Sequence, residues 1–587
     1  MKKQTIQKSN FLIACLYLII PAVWLILLRK TSAEFSVYVF YAAISAVSVF
    51  CLLYRNGTVI PSDFKRDLLP SLIVSLFFAT AVCLADYAVF TPIRDLKNIA
   101  AWILTWILGV VISCPICLLL NKVADSGKLA DFLSKRRPLS PAKTFWISFF
   151  SIAVIDLLYV YFAAYPGNLS IDSLSQINQS LTGSYVNQHP FWHTIIIHYI
   201  LQFGTAVFGS LESAIFFFFV CQILFISVCF SFILVTLSQV SRSGIIWLCC
   251  LIYFIFYPCH TIYSCTMWKD VPFGVAVAVF ITALYRLMKQ LGSNRFNYVI
   301  LFISGVAFGI WRTNGVIALA VTFLIVLLMA LKQRRFKLPL CLAVVLAITL
   351  VMNGPMLNLL HVASSRYTEK LSVPIQQVSR VLHDGYELDD ASKEAIDNIL
   401  DTELISEKYD PKISDPVKFS VSDESDAYLK EHKGAYLKVW ATIGVRYPAE
   451  YVKAWIDQTK GYWNAGYHYW RWANVIEDND LGLQRTVHSG LIRKVSSIYL
   501  KCWDKGAAPL LGIGEFTLFF VYVLVYGISR RKKETLLVIP LLAIVLTLLI
   551  ATPVFSEFRY VYAYFTAFPV ILVSFLYSAK NDAFETA

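Results

Sequence analysis

The run Trp192-His-Thr-Ile-Ile-Ile-His198-Tyr-Ile-Leu-Gln202-Phe-Gly-Thr-Ala-Val-Phe208 is apolar, but it is short and carries two histidines and a glutamine. Whether it crosses a bilayer fixes the side of everything after it. A crossing would place the basic loops at Arg242, Lys289 to Arg295, Lys332 to Lys337 and Arg530 to Lys533 outside. Loops rich in Lys and Arg stay in the cytoplasm. The charge pattern therefore predicts that this run lies along the outer surface as an interfacial helix.

Outward from that run, apolar stretches near 20 residues recur along the 587-residue chain, each long enough to span hydrocarbon as a helix. Hydrophobic residues make up 58% and charged residues only 15%, where a soluble protein has roughly a quarter charged. The expected class is an all-α polytopic membrane protein. The net charge of +13 sits in short loops between apolar runs, so it reads as topology and not as a nucleic-acid surface. The basic start, Met1 to Asn10, precedes an apolar run without a small-residue cleavage site, which predicts a retained first helix.

Four leading crossings are expected at Phe11 to Leu28, Phe35 to Tyr54, Leu69 to Phe90 and Ala100 to Leu120, and a fifth at Phe145 to Ala164. Nine more follow: Ala214 to Leu237, Ile245 to Tyr257, Pro272 to Leu287, Tyr298 to Trp311, Val316 to Leu331, Leu338 to Leu359, Leu510 to Ile528, Leu536 to Thr552 and Val561 to Tyr577. That makes about fourteen crossings of the cell membrane, with both termini cytoplasmic. The run from Asn297 to Leu331 is short for two full crossings, yet both its flanks are basic. A hairpin with its tip at Trp311-Arg312-Thr-Asn-Gly315 meets both constraints and places Arg312 at membrane depth, where ionisable groups are costly and usually functional.

Four regions result. Residues 1–143 form a four-helix membrane region with a cytoplasmic loop. Residues 144–360 form a membrane core whose first outer loop spans 165–209. Residues 361–507 form a mainly helical outer domain, and 508–587 a C-terminal three-helix region. Of the 38 acids and 51 bases in the chain, 22 and 19 fall in 361–507, leaving 16 and 32 elsewhere, so the outer domain is mildly acidic and the membrane part strongly basic. Within it, helices are expected at Val373 to Leu382, from Asp389-Asp390 to about Leu400, at Glu424 to Ile443 and at Ala449 to Trp463, with turns at Asp410-Pro411 and Asp415-Pro416. The thirteen cysteines lie mostly in apolar runs. Cys114 and Cys117 have redox-like spacing, but inside an apolar helix they read as packing.

This topology gathers the unusual polar residues on the outer face. The first outer loop supplies Asp172, Gln176, Gln179, His189 and His193. The next supplies His260, Lys269 and Asp270, and the hairpin tip Arg312 and Asn314. Gln376, Gln377 and Arg380 follow Leu359, and Glu557, Arg559 and Tyr560 close the set. Each has a plainer reading. Asp172 can cap a helix starting at Ser173. Glu557 and Arg559 can pair at a helix end, and Lys269 and Asp270 can be solvated anchors. His193 and His198 can bond carbonyls or water, since no HExxH or Cys/His spacing suggests zinc. The aromatic run Gly461 to Trp472 admits a sugar-stacking platform, an interfacial belt or core packing.

The motifs Tyr165-Pro-Gly with Asp172-Ser173, His189-Pro190 with His193-Thr194, Trp268-Lys269-Asp270, Arg312-Thr-Asn-Gly315, Pro374-Ile-Gln-Gln377 and Glu557-Phe-Arg-Tyr560 occur in an order that resembles the GT-C superfamily. These are membrane glycosyltransferases that use sugars carried on polyprenyl phosphate or diphosphate; the chain looks like a poorly characterised bacterial family among them. The resemblance covers roughly Thr144 to Tyr577. It implies that Asp172 is the essential acid of the first outer loop and Asp270 a second catalytic acid. Many members pair two acids in that loop; here Ser173 follows Asp172, which leaves the need for a divalent cation open.

On chemical grounds, attack on an anomeric carbon needs a base for the acceptor hydroxyl and positive charge for the departing phosphate. Asp172 suits the first role, and Lys269, Arg312 and Arg559 suit the second. Gln176, His189, His193, Asn314, Gln376, Gln377, Glu557 and Tyr560 are candidates for substrate binding. The expected partners are a polyprenyl-phosphate-linked sugar donor, a glycan, lipid or protein acceptor of the cell envelope, and the lipid bilayer, with no nucleic acid. The rival expectations are a transporter or flippase of lipid-linked precursors and a non-catalytic envelope assembly protein.

Overall fold

The computed structural model describes residues 19–27, 41–48, 64–85, 96–467, 474–551 and 553–578. The protein is an all-α polytopic membrane protein, and among the described residues extended chains pair only as isolated bridges. Ten helices have the length and composition to cross a membrane, eleven if a bent pair counts as one, and two shorter apolar helices accompany them. The first two expected crossings lie mostly outside the described residues, which are helical at 19–27 and 41–48.

The membrane helices are α1 (Leu69–Ala85), α2 (Leu96–Ser126), α3 (Pro141–Ala163), α6 (Leu211–Ser241), α7 (Gly244–Phe256), α9 (Asp270–Met288), α10 (Asn294–Ile310), α11 (Thr313–Gln333), α12 (Lys337–Asn353), α19 (Ile513–Ser529), α20 (Ile539–Ile550) and α21 (Tyr562–Leu576). Serines start several of them. Ser140, Ser210 and Ser243 accept the backbone N–H groups of Lys143, Ser213 and Ile246 at 3.2–3.4 Å. Hydroxyls buried inside apolar helices bond the carbonyl one turn back, as Ser148 does to Thr144 at 2.6 Å and Thr282 to Ala278 at 2.7 Å. These two therefore leave no unmet donor in an apolar setting.

The run 192–208 forms α5 (Phe191–Phe208), and packing fixes its side. The start of α3 and the end of α6 meet, because the Ser134 hydroxyl donates to Ser241 O at 3.2 Å and Gly244 N to Arg136 O at 3.0 Å. Their other ends also meet. Gly167 lies against the Phe219 ring, and Gln222 donates to the carbonyls of Ser264 and Thr266 at 2.9 and 3.1 Å. With its 31 residues α6 is about 46 Å long, well over the roughly 30 Å of hydrocarbon. Its first turns overshoot, and α5 packs there, with Gly204 against Ala214. Two passes, α3 and α6, return the chain to one end, and α5 stays at the other.

Helix α9 is the hub, buried from Asp270 to Arg286. It approaches α21 closely: a side chain at Gly274 would sit 2.7 Å from the Tyr562 ring, and Thr566 donates to Gly274 O at 2.8 Å. That contact fixes the start of α9 beside the loop that precedes α21. The far ends of these helices carry the basic loops. There Lys289 pairs with Glu534, and Arg530 pairs with Asp67 at 2.7 Å and Asp125 at 2.8 Å.

The polar segment folds as helices around Val381, Ile396, Ile405, Val417, Ile443 and Tyr451. They include α13 (Ser372–His383), α14 (Asp390–Asp397), α15 (Asp423–Glu431), α16 (Lys433–Arg446) and α17 (Pro448–Trp463). Asp389 caps α14, accepting from Ser392 N at 2.9 Å. The helix expected over Glu424 to Ile443 is broken at His432, just before the poor helix former Gly434. Arg380 clamps α13 to α17 through Glu450 at 3.0 Å and Asp457 at 2.7 Å.

Candidate functional site

The helix that carries Asp172 starts two residues earlier than a cap at this position requires. In α4 (Ile171–Thr182) Ser170 is the N-cap and Asp172 lies in the first turn. The Ser173 hydroxyl accepts from Ser170 N at 3.1 Å and donates to Met267 O at 2.9 Å, while Trp268 Nε1 donates to Ser170 Oγ at 2.7 Å. The capping reading of Asp172 is thereby corrected. Its carboxylate is free of the backbone, and the positive end of α4 favours its charge.

That carboxylate meets Arg559 at 2.6 Å. The same guanidinium lies 3.3 Å from Glu557 and stacks 5.0 Å over Trp268. Arg312, at the hairpin tip, pairs with Asp270, which is fully buried. Tyr560 joins the two pairs, with Arg312 4.5 Å and Arg559 5.3 Å from its ring centre. Lys269 donates to His189 Nδ1 at 3.2 Å. Three cations and three carboxylates from four distant segments thus share one end of the helix bundle. The opening is on the Asp172 side, where about a third of the carboxylate side chain (32%) is exposed.

The charges set one another. Burial works to raise the Asp172 carboxyl, but Arg559 and Lys269 outweigh it and hold the group far below the usual carboxylate range. Burial pushes the Glu557 carboxyl up to about 7 despite Arg559. Burial, with Lys269 beside it, drops the His189 imidazole to about 3, so the ring is neutral and accepts from the ammonium. Burial also pulls Lys269 below its ordinary value, against the pull of Asp172 and Asp270.

Behind the cluster, Gln176 ties α4 to α5. Its amide donates to Thr194 Oγ1 at 2.8 Å, and its oxygen meets His193 Nδ1 at 3.1 Å. His193 Nε2 is buried without a partner. His198 bonds the Ser180 carbonyl at 3.0 Å, the plain reading of that residue. Asp270, expected as a second catalytic acid, is closed off from solvent and holds Arg312 in place.

Other expected residues fall outside the cluster. Asn314 donates to Thr547 at 3.1 Å, between α11 and α20. Gln376 donates to Asp410 O at 2.6 Å, and Gln377 bonds Trp440 Nε1 at 2.9 Å inside the polar domain. The described part of the aromatic run is core: Tyr462 and Trp463 are buried, Tyr462 donates to Val554 O at 2.7 Å, and Trp463 stacks on Trp455. His468 to Trp472 lie outside the described residues.

Sequence reasoning missed the strap 474–489, which covers the first loop through Leu169 pairing with Ile476 and Tyr165 with Thr486. Its Arg485 donates to Asn168 Oδ1 at 2.7 Å. Among the described residues no three His, Cys, Asp or Glu side chains gather as a metal site.

No curated protein and no solved structure matches the chain. A family profile matches residues 178–587; it takes in Lys269, Asp270, Arg312, Glu557 and Arg559 and begins just after Asp172. The chain belongs to this family, DUF6020, a family of unknown function.

Proposed function

We propose that the protein is a glycosyltransferase that moves a sugar from a polyprenyl phosphate or diphosphate carrier to a cell-envelope acceptor. The observation that carries this reading is the Asp172–Arg559 pair, exposed on the Asp172 side only, with Lys269 and Arg312 converging behind it.

In the resting arrangement Asp172 is a weak base, because Arg559 stabilises its anion. A donor phosphate at the membrane interface offers Arg559 a second anion that its planar fork grips with two hydrogen bonds. As Arg559 turns to that phosphate, Asp172 regains basicity beside the bound donor. The acceptor oxygen then forms its bond to the anomeric carbon and its proton passes to Asp172. The bond from that carbon to the phosphate oxygen breaks, and its electron pair leaves with the phosphate, where Arg559 and Lys269 meet the charge. Asp270 keeps Arg312 oriented, and Tyr560 keeps the two guanidiniums apart.

Side matters for this reading. The loops rich in Lys and Arg lie at the end opposite the cluster, and such loops stay cytoplasmic, so the cluster faces outward. A cysteine at Asp423, whose side chain is 93% exposed, should label in intact cells; labelling only after permeabilisation would reverse the orientation. The activity itself is tested with full-length protein in liposomes and a radiolabelled polyprenyl-phosphate sugar. Labelled acceptor product supports a transferase. Donor that changes leaflet without product favours a flippase, and neither outcome favours an assembly protein.

A further inference from the structure

A cavity of about 560 Å³ opens at the basic end of the bundle, where α9, α10, α11 and α12 meet the loop before α20. It lies remote from the charged cluster, because α9 runs between the two ends and its 19 residues rise about 28 Å. The floor is apolar, formed by Leu284, Leu287, Met288, Val326, Met329 and Leu536. The rim holds Arg334, Arg335, Lys337 and Lys533, and no acid lines the cavity. Among the described residues Arg334, Arg335 and Lys337 have no acidic partner, while Glu534, next to the rim, is engaged by Lys289.

We infer that this cavity binds one anionic phospholipid. A helix-end position is the depth of lipid headgroups, and cationic pockets between membrane helices attract anionic ones. The three cations without an acidic partner among the described residues suit a headgroup phosphate, and the apolar floor beneath them suits the first part of an acyl chain. A water-soluble anion would use the rim and leave the floor uncovered. A neutral lipid would use the floor and leave the cations unmet. The occupant that satisfies both is a lipid with net negative charge.

The test uses the full chain in uncharged detergent, with phosphatidylglycerol or phosphatidylcholine added, retained lipid counted by native mass spectrometry, and melting followed in parallel. Wild type should retain one phosphatidylglycerol, melt higher with it, and ignore phosphatidylcholine. The Arg334→Gln/Arg335→Gln/Lys337→Gln variant should lose affinity for phosphatidylglycerol by roughly tenfold or more. Met329→Trp, which fills the floor and keeps the cations, should also lose it. Both variants should melt like wild type when lipid is absent. Equal binding of the two lipids, unchanged affinity in the triple variant, or displacement of phosphatidylglycerol by an equal concentration of glycerol phosphate would overturn the inference.

Discussion

The two ends of the helix bundle both concentrate charge, but they hold it differently. At one end Asp172, Asp270, Glu557, Lys269, Arg312 and Arg559 are largely buried and interlocked, each within reach of an opposite charge. At the other, Arg334 and Arg335 after α11 and Lys337 at the start of α12 are exposed and have no acidic partner among the described residues. Exposed cations interact weakly with one another and are screened by salt, which leaves them available to an outside partner. Buried charges persist only when paired, and they fix one another's position and protonation. The first arrangement suits chemistry and the second suits adhesion.

The largest effect should come from Asp172→Asn, which keeps size and removes basicity. We expect transfer to fall about 10²–10⁴-fold, with membrane level unchanged. Near-normal transfer would remove Asp172 from the chemistry.

Next is Asp270→Asn, which leaves the Arg312 guanidinium buried without its anion. Stability should drop by about 3–5 kcal/mol, read as denaturation in detergent. The comparison variant Arg335→Gln at the basic end should stay within about 0.5 kcal/mol. Equal effects at the two ends would erase the contrast between them.

A smaller effect concerns pH. Glu557 ordinarily titrates near 4.5, and burial moves it to about 7 in the fold. Between those values the folded chain holds a proton that the unfolded chain has lost. Its contribution to stability is therefore full below the lower value and is lost as pH rises through the upper one. Glu557→Gln should flatten that decline, measured as melting against pH from about 4.5 to 7. An unchanged slope would mean that Glu557 stays ionised throughout.

Much of the architecture was legible because a membrane imposes strong rules. Apolar length marked the helices, and loop charge placed Asp172, Lys269, Arg312 and Arg559 at one end. What escaped depends on side-chain direction and distant pairing. Arg312 is extended backbone just before α11, whereas Asn314 lies in the first turn of that helix and bonds Thr547 instead. Gln376 and Gln377 read as site residues beside Pro374, but α13 turns them towards Asp410 and Trp440. Both Ser170 and Asp172 can cap a helix; Trp268, almost a hundred residues away, bonds Ser170 and sets the register. The strap with Arg485 had no local signal, since it is held by bridges to residues more than 300 positions distant.

The central claim is that Arg559 leaves Asp172 to take the donor phosphate. It is tested most directly by donor saturation curves for wild type and Arg559→Lys, with melting measured on the same preparations. Lysine keeps the charge and loses the planar fork. We predict a donor requirement at least roughly tenfold higher, since each charge-assisted contact contributes about 1.5–3 kcal/mol, with little change in melting. An unchanged donor requirement with a lowered melting temperature would contradict the account and leave Arg559 as a structural partner of Asp172 and Glu557.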